Sequence, residues 1–310
     1  MRMISIIVPA YNEEGSIPEL YQDIAMNADK ISDTEWEIWF INDGSSDNTE
    51  QTILDLIEKD NRVHIISFRR NFGKSVALQA GFRHVNGDII FTMDADLQDD
   101  PAEFHNFIDK LDEGYDMVVG WKQKRLDPLE KRLPSKLFNS VTSMTAGFKL
   151  HDFDCGFKCF RRELVDSIDV YGELHRYLPV LAYRDGFKIT EIPVHHRERK
   201  HGKSKYGIER YMRGLLDSLT ITFLLRYSDR PMYFFGRIGV ISSLIGFIIC
   251  LILSVEWCMG MSIGHRPLLL LGVLLIIVGF LSISTGFVCN LIIDQNFRRN
   301  YKENHIKKIK

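Results

Sequence analysis

Over about the first 120 residues, short apolar runs stop again and again at polar, turn-forming clusters, and an apolar spacing of three and four residues follows. Ile4 to Val8 ends in Pro9–Glu14 (PAYNEE), and Glu37 to Ile41 ends in Asn42–Thr49 (NDGSSDNT). Ile17, Leu20 and Ile24 follow the first cluster, and Ile53, Leu56 and Ile57 follow the second. Val63–Phe68, Asp88–Met93 and Met117–Val119 extend the series. A run of four to eight apolar residues closed by turn chemistry reads as a buried strand, and the longer spacing reads as a helix. Alternation of the two predicts an α/β domain, Rossmann-like, with a mostly parallel sheet and ligands at the strand carboxyl ends.

The fourth run opens onto Met93–Pro101, MDADLQDDP. Asp94 and Asp96 stand one residue apart just beyond a predicted strand, where both reach one hard divalent cation, Mg²⁺ or Mn²⁺, through oxygen. A bare carboxylate pair repels phosphate. A cation between the carboxylates inverts the sign and makes a clamp for a departing diphosphate. The usual phosphate cradle is missing, because neither Gly-x-Gly-x-x-Gly nor a Walker loop follows the first strand. Asp43, at the end of the second strand, is placed either to accept hydrogen bonds from a base or to cap the helix that begins near Asp47.

VPAYNEE, NDGSSDNT, RNFGKSVALQAGF and MDADLQDDP, in that order, resemble the metal-dependent, inverting members of glycosyltransferase family 2, which have the GT-A fold. The resemblance covers most of the first 200 residues. Within the family it is strongest to polyprenyl-phosphate (dolichyl- or undecaprenyl-phosphate) hexosyltransferases, through Asp154–Leu164 (DCGFKCFRREL), Tyr171–Ala182 (YGELHRYLPVLA) and Arg199–Gly207 (RKHGKSKYG). It implies that Pro9, Tyr11, Glu13 and Asp43 line the nucleoside pocket and that Asp94, Asp96 and Gln98 hold metal and diphosphate. Lys74 lies near the nucleotide on the same reading. Asp154 matches the catalytic base or sugar-orienting carboxylate, and Arg199, Ser204 and Lys205 match a segment that closes over donor and acceptor phosphates. None of Trp36, Trp39, Trp121 or Trp257 sits in the Gln-x-x-Arg-Trp signature of processive polymerases. The resemblance implies a nucleotide-sugar donor, a polyprenyl-phosphate acceptor, a homo-oligomer in the membrane and no nucleic-acid partner.

The last third has a different solvent. Ile238–Val255 is 18 residues without a charge and Pro267–Ile293 is 27. A bilayer core needs about 20 apolar residues per helix, so two spans of about 236–257 and 267–293 are expected as a hairpin. Gly236, Gly239 and Gly246, with Gly272, Gly279 and Gly286, offer close helix packing. The chain opens on a strand pattern, with nothing that reads as an export signal. Total charge is −2, but residues 1–196 hold 22 basic and 34 acidic side chains, residues 197–237 hold 10 and 4, and residues 298–310 hold 6 and 1. By the positive-inside rule both ends of the hairpin are cytoplasmic. The expected order is a cytoplasmic catalytic domain (1–200), a basic juxtamembrane segment (201–232), two spans (233–297) and a basic cytoplasmic tail (298–310), in a multi-pass protein of the inner, cytoplasmic membrane. Ile208, Met212, Leu215, Leu216, Leu219 and Phe223 give Tyr206–Arg226 an apolar face, which suits a helix lying in the headgroup plane.

A lipid acceptor is one explanation for the anchor, and the cations support it. Arg197, Arg199, Lys200, Lys203 and Lys205 precede the amphipathic segment, and Lys122, Lys124, Arg125, Lys131, Arg132 and Lys136 form a second cluster. A donor diphosphate already neutralised by metal does not need so many. An acceptor phosphate would, with Arg125, Arg132, Arg199, Ser204 and Lys205 as its contacts. The expected product is a polyprenyl-phospho-sugar used as donor for glycan or envelope modification. Transfer to a hydroxyl acceptor would instead make Asp154 a general base, and a non-catalytic assembly subunit is the third reading. Cys155, Cys159, Cys250, Cys258 and Cys289 form no disulfide or zinc pattern, and His195, His196 and His201 read as phosphate contacts or exposed residues.

Overall fold

The computed structural model describes residues 1–123, 139, 142–144, 146–197, 220, 223, 226–227, 230–261 and 267–300, with the side chains of the last helix described up to Gln295. Arg125, Arg132, Arg199, Ser204 and Lys205, the amphipathic segment up to Leu219 and the tail from Tyr301 lie outside the described residues. The chain divides into two units, Met1–Leu219 and Thr220–Lys310.

The first unit is built on a seven-stranded sheet ordered β3-β2-β1-β4-β6-β5-β7. The strands are β1 (Arg2–Ala10), β2 (Thr34–Asn42), β3 (Val63–Ser67), β4 (Ile89–Thr92), β5 (Met117–Lys122), β6 (Lys158–Arg161) and β7 (Ile189–Val194). All pairings are parallel except those of β6, which runs antiparallel between β4 and β5. The five runs read from sequence are β1 to β5. The antiparallel β6 was not foreseen, because its four residues, Lys-Cys-Phe-Arg, have a charge at each end and too little length for a pattern. β1 and β4 are apolar on consecutive residues because helices cover both faces of the sheet, and Ile4, Ile6, Ile7, Val8, Ile90 and Phe91 are fully buried.

Helices α1 (Ile17–Ala28), α2 (Thr49–Ile57), α3 (Lys74–His84), α4 (Phe104–Asp112), α5 (Arg162–Ser167) and α6 (Leu178–Arg184) flank the sheet. The chain moves outward from β1 to β3 and then returns to place β4 on the other side of β1. That reversal opens a crevice at the carboxyl ends of β1 and β4, the usual ligand position in such sheets. The core packed against β4 is aromatic: Phe91 lies 4.6 Å from Phe104, and Phe107 lies 4.4 Å from Phe157, between ring centroids. Close-packed rings hold the end of β4 rigidly, and edge or tilted arrangements at these separations add to their burial.

The second unit contains two long helices, α7 (Pro231–Cys258) and α8 (Pro267–Asn300). Both exceed the expected spans: the 28 residues of α7 extend about 42 Å at about 1.5 Å per residue, longer than a hydrocarbon core of about 30 Å. Most of their leucine, isoleucine and phenylalanine side chains face outward rather than into the protein. Such a surface is stable only in an apolar medium, and the helices associate with membrane. The glycines set their approach. A Cβ on Gly246 would lie 2.5 Å from the Gly272 carbonyl oxygen, and one on Gly239 would lie 2.7 Å from that of Gly279. As one number rises the other falls, so the pair is antiparallel. Gly246→Leu is expected to push the helices apart and cost about 1–3 kcal/mol, read as a lower unfolding temperature in detergent relative to Ile241→Leu on the exposed face.

Candidate active site

The loops after β1 and β2 are tied to each other before they meet any ligand. The Glu13 amide donates to Thr49 Oγ1 at 2.8 Å, the Asn48 amide to Glu14 at 2.8 Å, and the Ser46 amide to Asn12 at 2.8 Å. These bonds fix the mouth of the crevice, with Pro9 at the end of β1 and Tyr11 half-exposed at the rim. The Glu13 carboxylate accepts from Ser16 Oγ at 2.5 Å and so braces the first turn of α1. Asp43 is not the cap of α2. Its two oxygens accept from the backbone amides of Phe72 and Gly73, at 2.7 and 2.9 Å. Gly44 makes this crossing possible: its φ is +67°, and a Cβ there would lie 2.6 Å from Arg70 Cα. Asp43 therefore holds the loop that ends at Lys74, the first residue of α3.

Lys74 reaches the end of β4, where its ammonium pairs with Asp94. The turn beyond alternates. Ala95, Leu97 and Asp99 are buried, whereas Asp94, Asp96 and Gln98 are half-exposed toward the crevice. Leu97 adopts a left-handed φ of 62°, rare for a branched side chain, and strain of this kind gathers at functional sites. The Asp96 carboxylate accepts from the Gln98 amide at 3.2 Å, and Gln98 Nε2 lies 3.4 Å from His196 Nε2. Gly156 lies against the Asp94 carboxyl, where a Cβ would come within 2.7 Å of its carbon.

Burial alone would raise the Asp94 carboxyl, but the charges of Lys74 and Lys122 outweigh it and hold its pKa well below the carboxylate range. Burial likewise opposes the charged form of Lys122, and Asp99 beside it wins, so that the ammonium is kept. Lys122 and Asp99 are 3.2 Å apart and almost wholly buried. Lys122 is therefore no surface contact for an acceptor phosphate. The same correction applies to Arg197, which bonds Asp23 at 2.5 Å and Asp100 at 2.8 Å. His196 is also buried, in an antiparallel bridge to Asp99. Lys158 is buried against the Cys155 carbonyl oxygen, and burial lowers its pKa. Burial pushes the Cys155 thiol up to about 12 and Cys159 well above its usual value, which removes both as nucleophiles.

Asp154 is partly exposed, and Arg176 Nη1 lies 3.7 Å from it. The neighbouring His175 has its Nδ1 2.9 Å from Ser75 Oγ. Burial first, and then the charge of Lys74, lower the His175 pKa from 6.5 to about 3. Between those values the unfolded chain binds a proton that the folded chain does not, so the folded state loses stability as pH falls from 6.5 toward about 3 and no further below. His175→Asn has no proton to take up. It is expected to flatten the fall in unfolding temperature between about pH 7 and about pH 4, measured by tryptophan fluorescence in detergent.

Of the expected residues, the structure joins Lys74, Asp94 and Asp154 in one electrostatic cluster, flanked by Asp96 and Gln98 on the turn. Asp43 connects to the cluster through the loop ending at Lys74. Sequence reasoning missed Asp99, Lys158 and Ser75, and it read Lys122 as part of a phosphate-binding cluster. Asp99, Lys158 and Ser75 stood inside quoted motifs, but their burial has no local signature. Among the described residues, no group of three or more His, Cys, Asp or Glu side chains could hold a metal ion. Two outward carboxylates nevertheless fit Mg²⁺ or Mn²⁺ in the mode that takes one or two carboxylates plus substrate phosphates and water, and Asp94 already carries a cation in Lys74.

A mostly parallel sheet with an aspartate pair after the strand at its switch point defines a nucleotide-sugar transferase of the GT-A type. The sequence profile of glycosyl transferase family 2 matches residues 5–169, and the chain belongs to that family and is a glycosyltransferase. It is 34% identical over 310 residues, 98% of this chain and 91% of the relative, to a dodecaprenyl-phosphate galacturonate synthase of Rhizobium johnstonii. Among solved structures, glucosyl-3-phosphoglycerate synthase of Mycobacterium tuberculosis with Mn²⁺, uridine diphosphate and phosphoglyceric acid is similar over 71% of this chain and 78% of that one, with TM-score 0.57 and 18% identity. Its complex with phosphoglyceric acid matches over 72% and 80%, with TM-score 0.56 and 20% identity. These structural likenesses extend to the fold.

Proposed function

We propose that this protein transfers a hexose, or its uronic acid, from a nucleoside-diphosphate sugar to a polyprenyl phosphate at the cytoplasmic face of the membrane, with inversion at the anomeric carbon. The observation that carries this reading is the 34% identity to a dodecaprenyl-phosphate sugar synthase across nearly the whole of both chains, apolar helices included.

Pro9, Tyr11, Glu13 and Asp43 line the nucleoside end of the crevice, with Lys74 and Gln98 beside the diphosphate. Asp94 and Asp96 would hold Mg²⁺ or Mn²⁺, which supplies a Lewis acid against the charge of the leaving diphosphate. The acceptor is a phosphate monoester, largely a dianion near neutral pH, given a second pKa of about 6 for phosphate monoesters. It needs no proton removed. Its oxygen forms the new bond to the anomeric carbon as the bond to the nucleoside diphosphate breaks and the electron pair leaves with the diphosphate. Asp154 then orients the sugar and supports positive charge on the ring, with Arg176 Nη1 3.7 Å from it. Arg125, Arg132, Arg199, Ser204 and Lys205 are assigned to the acceptor phosphate. The basic flanks support a catalytic unit and both termini on the cytoplasmic side, with α7 and α8 proposed to cross as a hairpin.

The test is transfer of radiolabelled sugar from a panel of nucleotide sugars into organic-extractable lipid by the purified full chain in detergent, with polyprenyl phosphate and with or without Mg²⁺ or Mn²⁺. Metal-dependent label in an acid-labile lipid product supports the reading. Transfer only to a hydroxyl acceptor would overturn it and make Asp154 a general base.

A further inference from the structure

The tetrapeptide Leu174–Tyr177 forms a single tight turn whose outer residues are buried, Leu174 at 7% exposure and Tyr177 at 1%. Its two inner residues, His175 and Arg176, reach opposite poles of the site. The Ser75 hydroxyl oxygen accepts from the His175 backbone amide at 3.2 Å and lies 2.9 Å from His175 Nδ1. A hydroxyl has one hydrogen to give and two lone pairs to accept with, so Ser75 bonds Nδ1 in either ring tautomer. Ser75 is buried in the first turn of α3 and follows Lys74, the residue paired with Asp94. One position on, Arg176 holds Asp154 at 3.7 Å and Glu173 at 3.4 Å. Burial leaves the His175 ring a very weak base, and its two bonds to one hydroxyl are geometric in effect.

We propose that Ser75, His175 and Arg176 form a positioning bridge that sets the distance between the diphosphate-side carboxylate, Asp94, and the sugar-side carboxylate, Asp154. The roles of those two carboxylates rest on the function proposed above. The anomeric carbon lies between the leaving diphosphate and the group that steadies the ring, and in-line displacement is steep in that spacing. A side chain that moves the α3 end of the bridge shifts Lys74 and Asp94. A side chain that moves the other end shifts Asp154. Adjacent residues on one buried turn couple the two without touching the reacting atoms.

The experiment uses the purified full chain in detergent, with kcat and KM measured for donor and for polyprenyl phosphate, and nucleoside-diphosphate binding measured by calorimetry. Ser75→Ala, His175→Ala and Arg176→Gln are expected to lower kcat on the order of 10²-fold, the cost of about 1 Å of misplacement, with nucleotide affinity and lipid KM unchanged. His175→Asn places an amide group, able to accept or donate, where Nδ1 stood, and Arg176→Lys keeps the charge. Both are expected to recover most of the loss. A His175→Asn as slow as His175→Ala would overturn the bridge, as would an unfolding temperature and nucleotide affinity that fall together in the alanine variants. A raised lipid KM at unchanged kcat in Arg176→Gln would make Arg176 an acceptor contact and also overturn it. If the wild-type chain uses a hydroxyl acceptor, the proposed function fails, and the same variants measured with that acceptor still decide the bridge.

Discussion

Asp96→Ala is expected to abolish sugar transfer, by a factor on the order of 10³ or more, while the unfolding temperature of the detergent-purified protein stays that of the wild type. The alternation of the turn is the reason. Ala95, Leu97 and Asp99 face inward and hold the backbone, so the carboxyl of Asp96 is left facing the crevice. It accepts from the Gln98 amide at 3.2 Å, and a half-exposed bond of that kind is worth only about 1 kcal/mol. Its removal leaves the fold and takes away one of the two carboxylates proposed to hold the metal that clamps the diphosphate. Asp94→Asn should differ. It also slows transfer, but it takes the paired negative charge away from Lys74, so both activity and stability fall. Label transfer and thermal unfolding, read on the same preparations, separate the two. Retention of a tenth of wild-type activity in Asp96→Ala would contradict a role in holding the diphosphate.

The second large effect is on stability. Asp99→Ala is expected to cost about 3–5 kcal/mol, because it takes from the buried Lys122 ammonium its nearest and strongest countercharge. The pair is 3.2 Å apart, with side-chain exposures of 14% and 1%, so water does not take the place of the lost partner. In a unit of this size that is an unfolding temperature lower by roughly 6–20 °C. Asp99→Ala combined with Lys122→Met removes both charges, and buried ion pairs replaced by apolar groups are often neutral or better. The double variant should regain most of the stability. It should not regain full activity, because Lys122 contributes positive charge to Asp94. A fall below about 1 kcal/mol in the single variant would mean that water reaches Lys122.

Lys122 and Arg197 also mark where composition misleads. Each sits in a basic stretch that reads as a surface for phosphate, and each is tied into the protein by aspartates far away in the chain: Asp99 for Lys122, Asp23 and Asp100 for Arg197. Charge counted along a sequence does not distinguish a cation that awaits a ligand from one that already has a partner. Asp43 carries the same lesson at smaller scale. Its position at a strand end was legible, but the choice between helix cap and other partners fell to the amides of Phe72 and Gly73, about thirty residues away.

Local chemistry in the sequence determined the five parallel strands, the aspartate turn, the family and the two apolar helices. Each rests on a pattern carried by neighbours in the chain: unbroken apolar runs for strands covered on both faces, turn residues where runs end, and long uncharged stretches for a non-aqueous solvent. Tertiary structure alone decided that β6 enters antiparallel, that Leu97 is held left-handed, that Asp99 supports the site from below, and that Ser75, His175 and Arg176 link its two carboxylates. These features depend on groups brought together from distant parts of the chain, and on a balance between desolvation and pairing that no single segment contains.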